Sequence, residues 1–263
     1  MLGNFRYEIL HHMKVLVETH NLHKRFGGIH AVRGINLSVR QGEVLGFLGP
    51  NGAGKTTTMR MITGFLAPTD GTIRVDGVHV GLDPFQAKSR IGYLPEGAPC
   101  YPDMRVEEFL AFIGRARGFR GSDLQSRVER SIEAVHLQQV RKQTFETLSK
   151  GYRRRTGIAQ SLLHDPPILI LDEPTDGLDP NQKFEVRSLI RSLGRERAII
   201  LSTHLLEEVE AVCSRAVLIN RGHIVFDGTP QAMDALAPAS VKANRLDHVF
   251  RNLTTTEPAG TTK

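Results

Sequence analysis

Gly49-Pro50-Asn51-Gly52-Ala53-Gly54-Lys55-Thr56-Thr57 decides the fold of this 263-residue chain. It satisfies G-x-x-x-x-G-K-[ST]. The apolar run Val44-Leu45-Gly46-Phe47-Leu48 precedes it, and a helical pattern from about Gly54 to Thr63 follows. That strand–loop–helix setting gives the motif physical meaning. Glycines let backbone N–H groups converge on phosphate oxygens, because no Cβ blocks the approach. The helix directs the positive end of its dipole at the same anion. Lys55 can then reach the β- and γ-phosphates of a nucleoside triphosphate, and the Thr56 hydroxyl can ligate Mg²⁺. The alternative, a glycine-rich turn with an incidental lysine, does not account for the flanking strand and helix.

Outward from this loop, the chain alternates strands and helices. A strand is predicted from Val15 to Thr19. Next, Ile35, Leu37 and Val39 alternate with Asn36, Ser38 and Arg40, the pattern of a half-buried strand. Pro68, Asp70 and Gly71 mark a turn, after which Ile73 and Val75 begin another strand. From about Val106 to Leu163 the pattern is mostly helical, with Phe109, Phe112 and Ile113 at helical spacing, and it reads as an inserted lobe. Pro166 and Pro167 close it. Ile168 to Leu171 is a short continuous apolar run, as expected of a buried parallel strand. A helix from about Asn181, a strand at Ala198–Leu201, a helix from Leu205 and a strand at Val217–Ile219 continue the alternation. Leu253 to Lys263, rich in Thr, Gly and Pro, reads as a mobile tail. No internal repeat is visible.

A second chemical feature stands at the end of the apolar run: Asp172 and Glu173. Ligands of parallel sheets gather at the carboxyl ends of strands. Asp172 is placed to hold Mg²⁺, and Glu173 to orient or deprotonate an attacking water. An acidic turn capping a strand would explain the pair alone, but not beside a phosphate loop. Composition bounds the rest. Hydrophobic residues make up 40% and charged residues 24%, with a formal net charge of +6. These values fit a globular protein rather than a disordered one, and the charge suits polyphosphates, anionic lipid surfaces or nucleic acid. Cys100 and Cys213 form neither a metal-ligand spacing nor a disulfide framework, so a reducing compartment is expected. No apolar run approaches the roughly 20 residues needed to cross a bilayer, and no signal peptide is visible.

With these residues in place, the chain from about Val15 to Thr254 resembles the nucleotide-binding domain of ABC transporters. The family's signature, commonly LSGGQ, is here Leu148-Ser149-Lys150-Gly151-Tyr152, followed by Arg153, Arg154 and Arg155. Asp176-Gly177-Leu178-Asp179 resembles the family's D-loop. His204 matches its switch histidine, and Phe26 the aromatic that stacks on adenine. Glu96, in Ile91-Gly92-Tyr93-Leu94-Pro95-Glu96, stands where most of the family has a Gln that senses Mg²⁺ and water and couples to the membrane subunit. The resemblance implies an α/β fold: a P-loop NTPase core with a mostly parallel sheet, an antiparallel β subdomain and a helical subdomain inserted at about 97–165. Residues 1–13 would be an N-terminal extension, 14–240 the ATPase domain, and 241–263 a C-terminal helix and flexible tail.

The resemblance also implies roles. ATP is the nucleotide and Mg²⁺ its ion, held by Thr56, Asp172 and Glu96. Glu173 and His204 are catalytic. Gly49 to Thr57 cradle the phosphates. Ser149 and Gly151 bind the γ-phosphate of ATP held by a second copy in a head-to-tail homodimer, and Asp179 links the two sites. Lys150 and Tyr152 depart from the usual signature, and Glu96 adds a negative charge beside the carboxylate pair. Signatures like LSKGY, segments like YLPE and the ending Leu246–Thr254 are similar to ATP subunits of type-two exporters, including gliding-motility-type proteins. The partner is then a separate integral-membrane permease, and the location is cytoplasmic, peripheral on the inner face of the membrane. Rival readings are a non-transport ABC ATPase acting on ribosomes or nucleic acid, and a nucleotide-gated scaffold that does not hydrolyse. The first usually has two domains or a long coiled insertion, and the second does not need Lys55, Asp172, Glu173 and His204 together. No N-K-x-D motif points to guanine. His11, His12 and His164 show no metal spacing, and the Arg153–Arg155 run reads as a solvated helix face.

Overall fold

The computed structural model describes residues 13–97 and 101–255. The extension before Met13, Cys100 and residues 256–263 lie outside the described residues. In chain order the elements are β1 (Val15–Phe26), β2 (Ile29–Arg40), β3 (Val44–Leu48), α1 (Lys55–Ile62), β4 (Asp70–Val75), β5 (Val78–His79), α2 (Pro84–Ser89) and β6 (Ile91–Leu94). The helical lobe follows: α3 (Val106–Ala116), α4 (Gly121–Ala134), two 3₁₀ turns (Gln138–Val140 and Phe145–Thr147) and α5 (Lys150–Leu162). The chain then returns to the sheet through β7 (Ile168–Asp172), α6 (Pro180–Leu193), β8 (Ala198–Thr203), α7 (Leu206–Val212), β9 (Arg215–Asn220), β10 (His223–Gly228), α8 (Pro230–Ala235) and α9 (Arg245–Thr255).

Two sheets result. One is antiparallel, in the order β2-β1-β4-β5; the other has the order β10-β9-β3-β8-β7-β6. In the second sheet β9, β3, β8, β7 and β6 are mutually parallel, and β10 joins the β9 edge antiparallel. The central strands β3, β7 and β8 are buried at every residue. They therefore read as continuous apolar runs, the consequence of cover on both faces. The two-residue alternation still operates inside that cover. Leu169, Leu171, Ile199 and Leu201 share a core with Leu110 and Ile158 of the helical lobe and with Ile190 of α6. Ile168, Ile170, Ala198 and Ile200 point the other way, into a core shared with Leu22, Ile35, Phe47 and Met59. A third cluster seats Leu246 and Val249 of α9, with Met233 of α8, against Leu218.

Three departures from the sequence expectations have local causes. β1 runs to Phe26 rather than ending at Thr19, pairing with β2 as far as Phe26–Ile29. Its register shifts between Thr19 and Leu22 beside Asn21, whose φ is +46°, so the polar–apolar alternation breaks where the strand does not. Phe112 shares a helical face with Phe109 in the sequence pattern, yet it is 38% exposed and edge-on to Tyr101, whereas Phe109 is buried against Phe145. Residues 253–255 belong to α9, with Leu253 packed on the third cluster, so the helix reaches into the stretch expected to be tail.

Candidate nucleotide-binding site

The loop between β3 and α1 is shaped by glycines, two of which sit where a Cβ would strike backbone. Gly49 has φ +154°, and a Cβ there would lie 2.4 Å from the Ile219 carbonyl. Gly54 caps α1 with φ +109°, and its Cβ would lie 2.6 Å from the Ala31 carbonyl. At Gly52 (φ +78°) no atom lies within 4 Å of the Cβ position, so the backbone is open to the cleft. The first N–H groups of α1 have no intrahelical acceptor and face the same space. Lys55 is buried, with Nζ donating to the carbonyls of Gly49 at 2.6 Å and Pro50 at 3.2 Å. Burial lowers its pKa, opposed by the charges of Glu173, Asp172 and Glu96. The ammonium thus rests on two backbone carbonyls of the loop, beside the unpaired N–H groups that open α1.

A cleft of about 340 Å³ opens beside this loop. It brings together Asn51, Gly52, Gly54, Lys55, Thr56 and Thr57 with Glu96, Asp172, Glu173 and His204. Gly49, Pro50 and Ala53 shape the loop from behind: Gly49 and Pro50 hold Lys55, and Ala53 is buried. Asp172 ends β7 fully buried and accepts a short hydrogen bond from the Ser202 hydroxyl of the neighbouring strand. Glu173 follows in the left-handed region at φ +48°, an unusual conformation for a non-glycine residue and one that concentrates at functional sites. The Glu173 N–H is bonded to the Ser202 carbonyl at 3.2 Å. Its carboxylate accepts from His204 Nδ1 at 3.1 Å, which assigns the ring hydrogen to Nδ1, since a carboxylate only accepts. Burial raises the Glu173 pKa, the His204 hydrogen bond and charge and the Lys55 charge lower it, and Asp172 raises it further. The result is a carboxylate with heightened proton affinity directly after the acid that ends β7, the arrangement expected of a base and a metal ligand.

The oxygen donors of Thr56, Asp172 and Glu96 on one cleft are the hard ligand set that Mg²⁺ prefers. The remaining sequence-predicted residues lie elsewhere. Phe26 ends β1, 48% exposed, with Lys24 Nζ 5.2 Å from its ring centre. Ser149 caps α5, accepting from the Tyr152 N–H at 3.3 Å. Gly151 is buried where a Cβ would lie 2.8 Å from the Gln182 side chain. Asp179 caps α6, accepting from the Gln182 N–H at 3.0 Å. The signature and the D-loop are therefore packed on each other in one chain, and none of these four residues lines the cleft of Lys55.

Sequence reasoning missed three contributors. Asp176 lines the cleft although no role attached to it, while Asp179, three residues on, is occupied as a helix cap. Ser202 donates to the Asp172 carboxylate and accepts from the Glu173 backbone N–H, and its only signal was its place near the end of the strand before His204. Arg154, read as part of a solvated face, is half-buried with Nη1 donating to the Glu96 carbonyl at 3.0 Å.

Comparison with known proteins agrees with this geometry. The family model described as ABC transporter matches residues 32–176. The chain is 38% identical over 218 residues to the uncharacterized ABC transporter ATP-binding protein YxlF of Bacillus subtilis, covering 83% of this chain and 72% of that protein. It is 37% identical over 224 residues to the ABC transporter ATP-binding protein NatA of the same species, covering 84% and 89%. It is 36% identical over 219 residues to the Nod factor export ATP-binding protein I of Ralstonia nicotianae, covering 83% and 68%. Among solved structures, an ATP binding subunit of an ABC transporter superposes with TM-score 0.78 at 26% identity, covering 90% of this chain and 99% of that one. CbiO1 from Clostridium perfringens, part of the transporter complex CbiONQ, superposes with TM-score 0.76 at 27% identity, covering 84% and 91%. A phosphate loop facing a strand-end acid pair, in a chain this similar to transporter ATP-binding proteins along most of its length, places it in the ABC transporter family as an ATP-binding subunit, an ATPase coupled to transport.

Proposed function

We propose that two copies of this chain close head to tail on ATP and Mg²⁺ and drive export through a separate membrane permease. The observation that carries this reading is the separation within one chain of Ser149 and Gly151 from the cleft that holds Lys55, Asp172 and Glu173. A second copy can bring its own signature to that cleft, with the Ser149 hydroxyl and the N–H groups at the start of α5 directed at the γ-phosphate. Phe26 offers its exposed face to the adenine. Thr56, Asp172 and Glu96 hold Mg²⁺, which neutralises charge on the β- and γ-phosphates when bound. Glu173, held by His204, takes the proton of the attacking water, and Lys55 stabilises charge on the transferring group.

The permease contact is assigned to a groove of about 1030 Å³ between the helical lobe and the β6 edge. Phe65 and Phe85, 69% and 88% exposed, stand at its rim, with Tyr93 and Phe119 on its walls. Exposed aromatics of this size around a concave surface fit a partner helix. No helix among the described residues is long and apolar enough to cross a membrane, so the spanning part of the complex is assigned to the partner. The similarity to the Nod factor export protein supports the outward direction.

Glu173→Gln tests the dimer reading, because it removes the base and leaves the phosphate loop intact. Sedimentation of this variant is expected to show a dimer with ATP and a monomer without it, alongside loss of most phosphate release. A monomer in both states, with the membrane subunit present as well, overturns the proposal, and full turnover removes Glu173 from its role.

A further inference from the structure

β6 is the outer strand of the six-stranded sheet, so one row of its backbone groups has no strand partner among the described residues. That row is taken up by side chains from a single helix and from His164, two residues beyond its end. His164 donates from Nε2 to the Ile91 carbonyl at 3.0 Å, and Gln160 donates from Nε2 to the Tyr93 carbonyl at 3.1 Å. Arg154 continues the row past the strand end, with Nη1 on the Glu96 carbonyl at 3.0 Å. Gly92 lets the helix come this close: a Cβ there would lie 2.3 Å from the Ser161 carbonyl. The guanidinium of Arg154 makes no ion pair among the described residues, though the charges of Asp176, Glu96, Glu173 and Asp172 all act on it.

We infer that Arg154 is a positioning residue: it ties the helix that begins at Ser149 to the segment that presents Glu96 to the triphosphate, so that a shift of the signature helix is felt at its own chain's cleft. The inference rests on Glu96 facing the triphosphate, as read above. Three carbonyls of one strand edge and its exit are held from one helix and the turn that ends it, so that helix cannot slide without either dragging β6 or breaking the row. The two inner contacts are partly buried and fix the strand. The outermost, at Arg154, is the solvent-facing one, and it holds a segment that no sheet partner restrains. A charged donor on a neutral carbonyl is stronger than a neutral hydrogen bond, which suits a tether that must hold a loop against a cluster of acids.

The first test needs neither nucleotide nor metal. Hydrogen exchange of the amides in residues 91–97 of the nucleotide-free chain is expected to rise about tenfold in Arg154→Gln. It should stay unchanged in Arg153→Gln, whose guanidinium bonds the Glu146 carbonyl within its own lobe. Arg154→Lys, which keeps a donor but not the reach, is expected to fall between. The second test is turnover: Arg154→Gln should lose about tenfold in kcat with KM for ATP within about twofold, the pattern of misplaced catalytic groups rather than lost binding. Unchanged exchange in both Arg154 variants overturns the tether. So does a KM rise at constant kcat, which would make Arg154 a nucleotide contact. Glu96→Ala separates the two layers: full turnover there removes Glu96 from the site, while the exchange measurement still decides whether Arg154 holds the segment.

Discussion

Acidification should weaken this fold through His164, and the size of the effect follows from its surroundings. The ring donates from Nε2 to the Ile91 carbonyl, and Nδ1 is buried without a partner among the described residues. Burial, and next the Arg117 charge, push its pKa down to about 4, although the Ile91 hydrogen bond and Asp165 pull the other way. In the unfolded chain the same ring takes its proton near the ordinary value of 6.5. Between these values the unfolded state binds more protons, so stability is intact above pH 6.5 and is lost as the pH falls toward 4. At about 1.36 kcal/mol per pH interval the ceiling is about 3 kcal/mol, and solvent in the adjoining groove reduces the expectation to about 2 kcal/mol. The control is His164→Gln, which does not titrate but keeps a donor for the Ile91 carbonyl. Urea unfolding followed by far-ultraviolet circular dichroism at pH 7.0, 5.5 and 4.5 gives both stabilities, and the titrations common to both proteins cancel in the difference. The wild-type chain should lose about 2 kcal/mol relative to His164→Gln between the first and last pH. A difference that stays flat across this range refutes the reasoning, because it would mean that the ring is free to protonate in the folded state.

Two further substitutions probe the packing that positions the site. Gly92→Ala should destabilise by about 3 kcal/mol in urea unfolding, since its Cβ would meet the backbone carbonyl of Ser161 and only movement of α5 relieves the clash. Arg215→Ala should cost about 4 kcal/mol by the same measurement, because Arg215 grips Asp227 with two bonds of 2.5 Å and reaches the buried Glu43 at 3.1 Å, which would be left uncompensated. Arg215→Lys should recover less than half of that loss, as a lysine cannot make both sets of bonds.

The parts of this molecule legible from its residues are those where local chemistry and tertiary setting agree. Lys55 and its glycines could be read because the flanking strand and helix are each strongly patterned, and the left-handed φ values at Gly52 and Gly54 are conformations glycine adopts without strain. β7 could be read because burial on both faces leaves four apolar residues in a row before Asp172. What stayed hidden depends on long-range proximity. Ser202 meets Asp172 across 30 residues of sequence, and Arg154 meets Glu96 across 58. Neither pairing leaves a periodic trace. The extent of β1 was hidden for another reason: a bulge at Asn21 shifts the alternation by one residue, which imitates the end of a strand.

Whether Arg154 acts through charge or through geometry can be decided by combining it with Glu96. Four carboxylates, Glu96, Asp172, Glu173 and Asp176, line the cleft together with Lys55. The family resemblance puts a neutral glutamine at the first of them. A cation felt by all four could serve simply to offset the extra charge. In that case Glu96→Gln would remove the need for it, and Arg154→Gln would cost little in the Glu96→Gln background. The observed bond, however, runs to the backbone carbonyl of residue 96, which Glu96→Gln leaves in place. A tether therefore predicts that Arg154→Gln lowers kcat by the same factor in both backgrounds, additive to within about twofold. If the loss shrinks more than about fivefold when Glu96 is already glutamine, the tether fails and charge balance is the better account of Arg154.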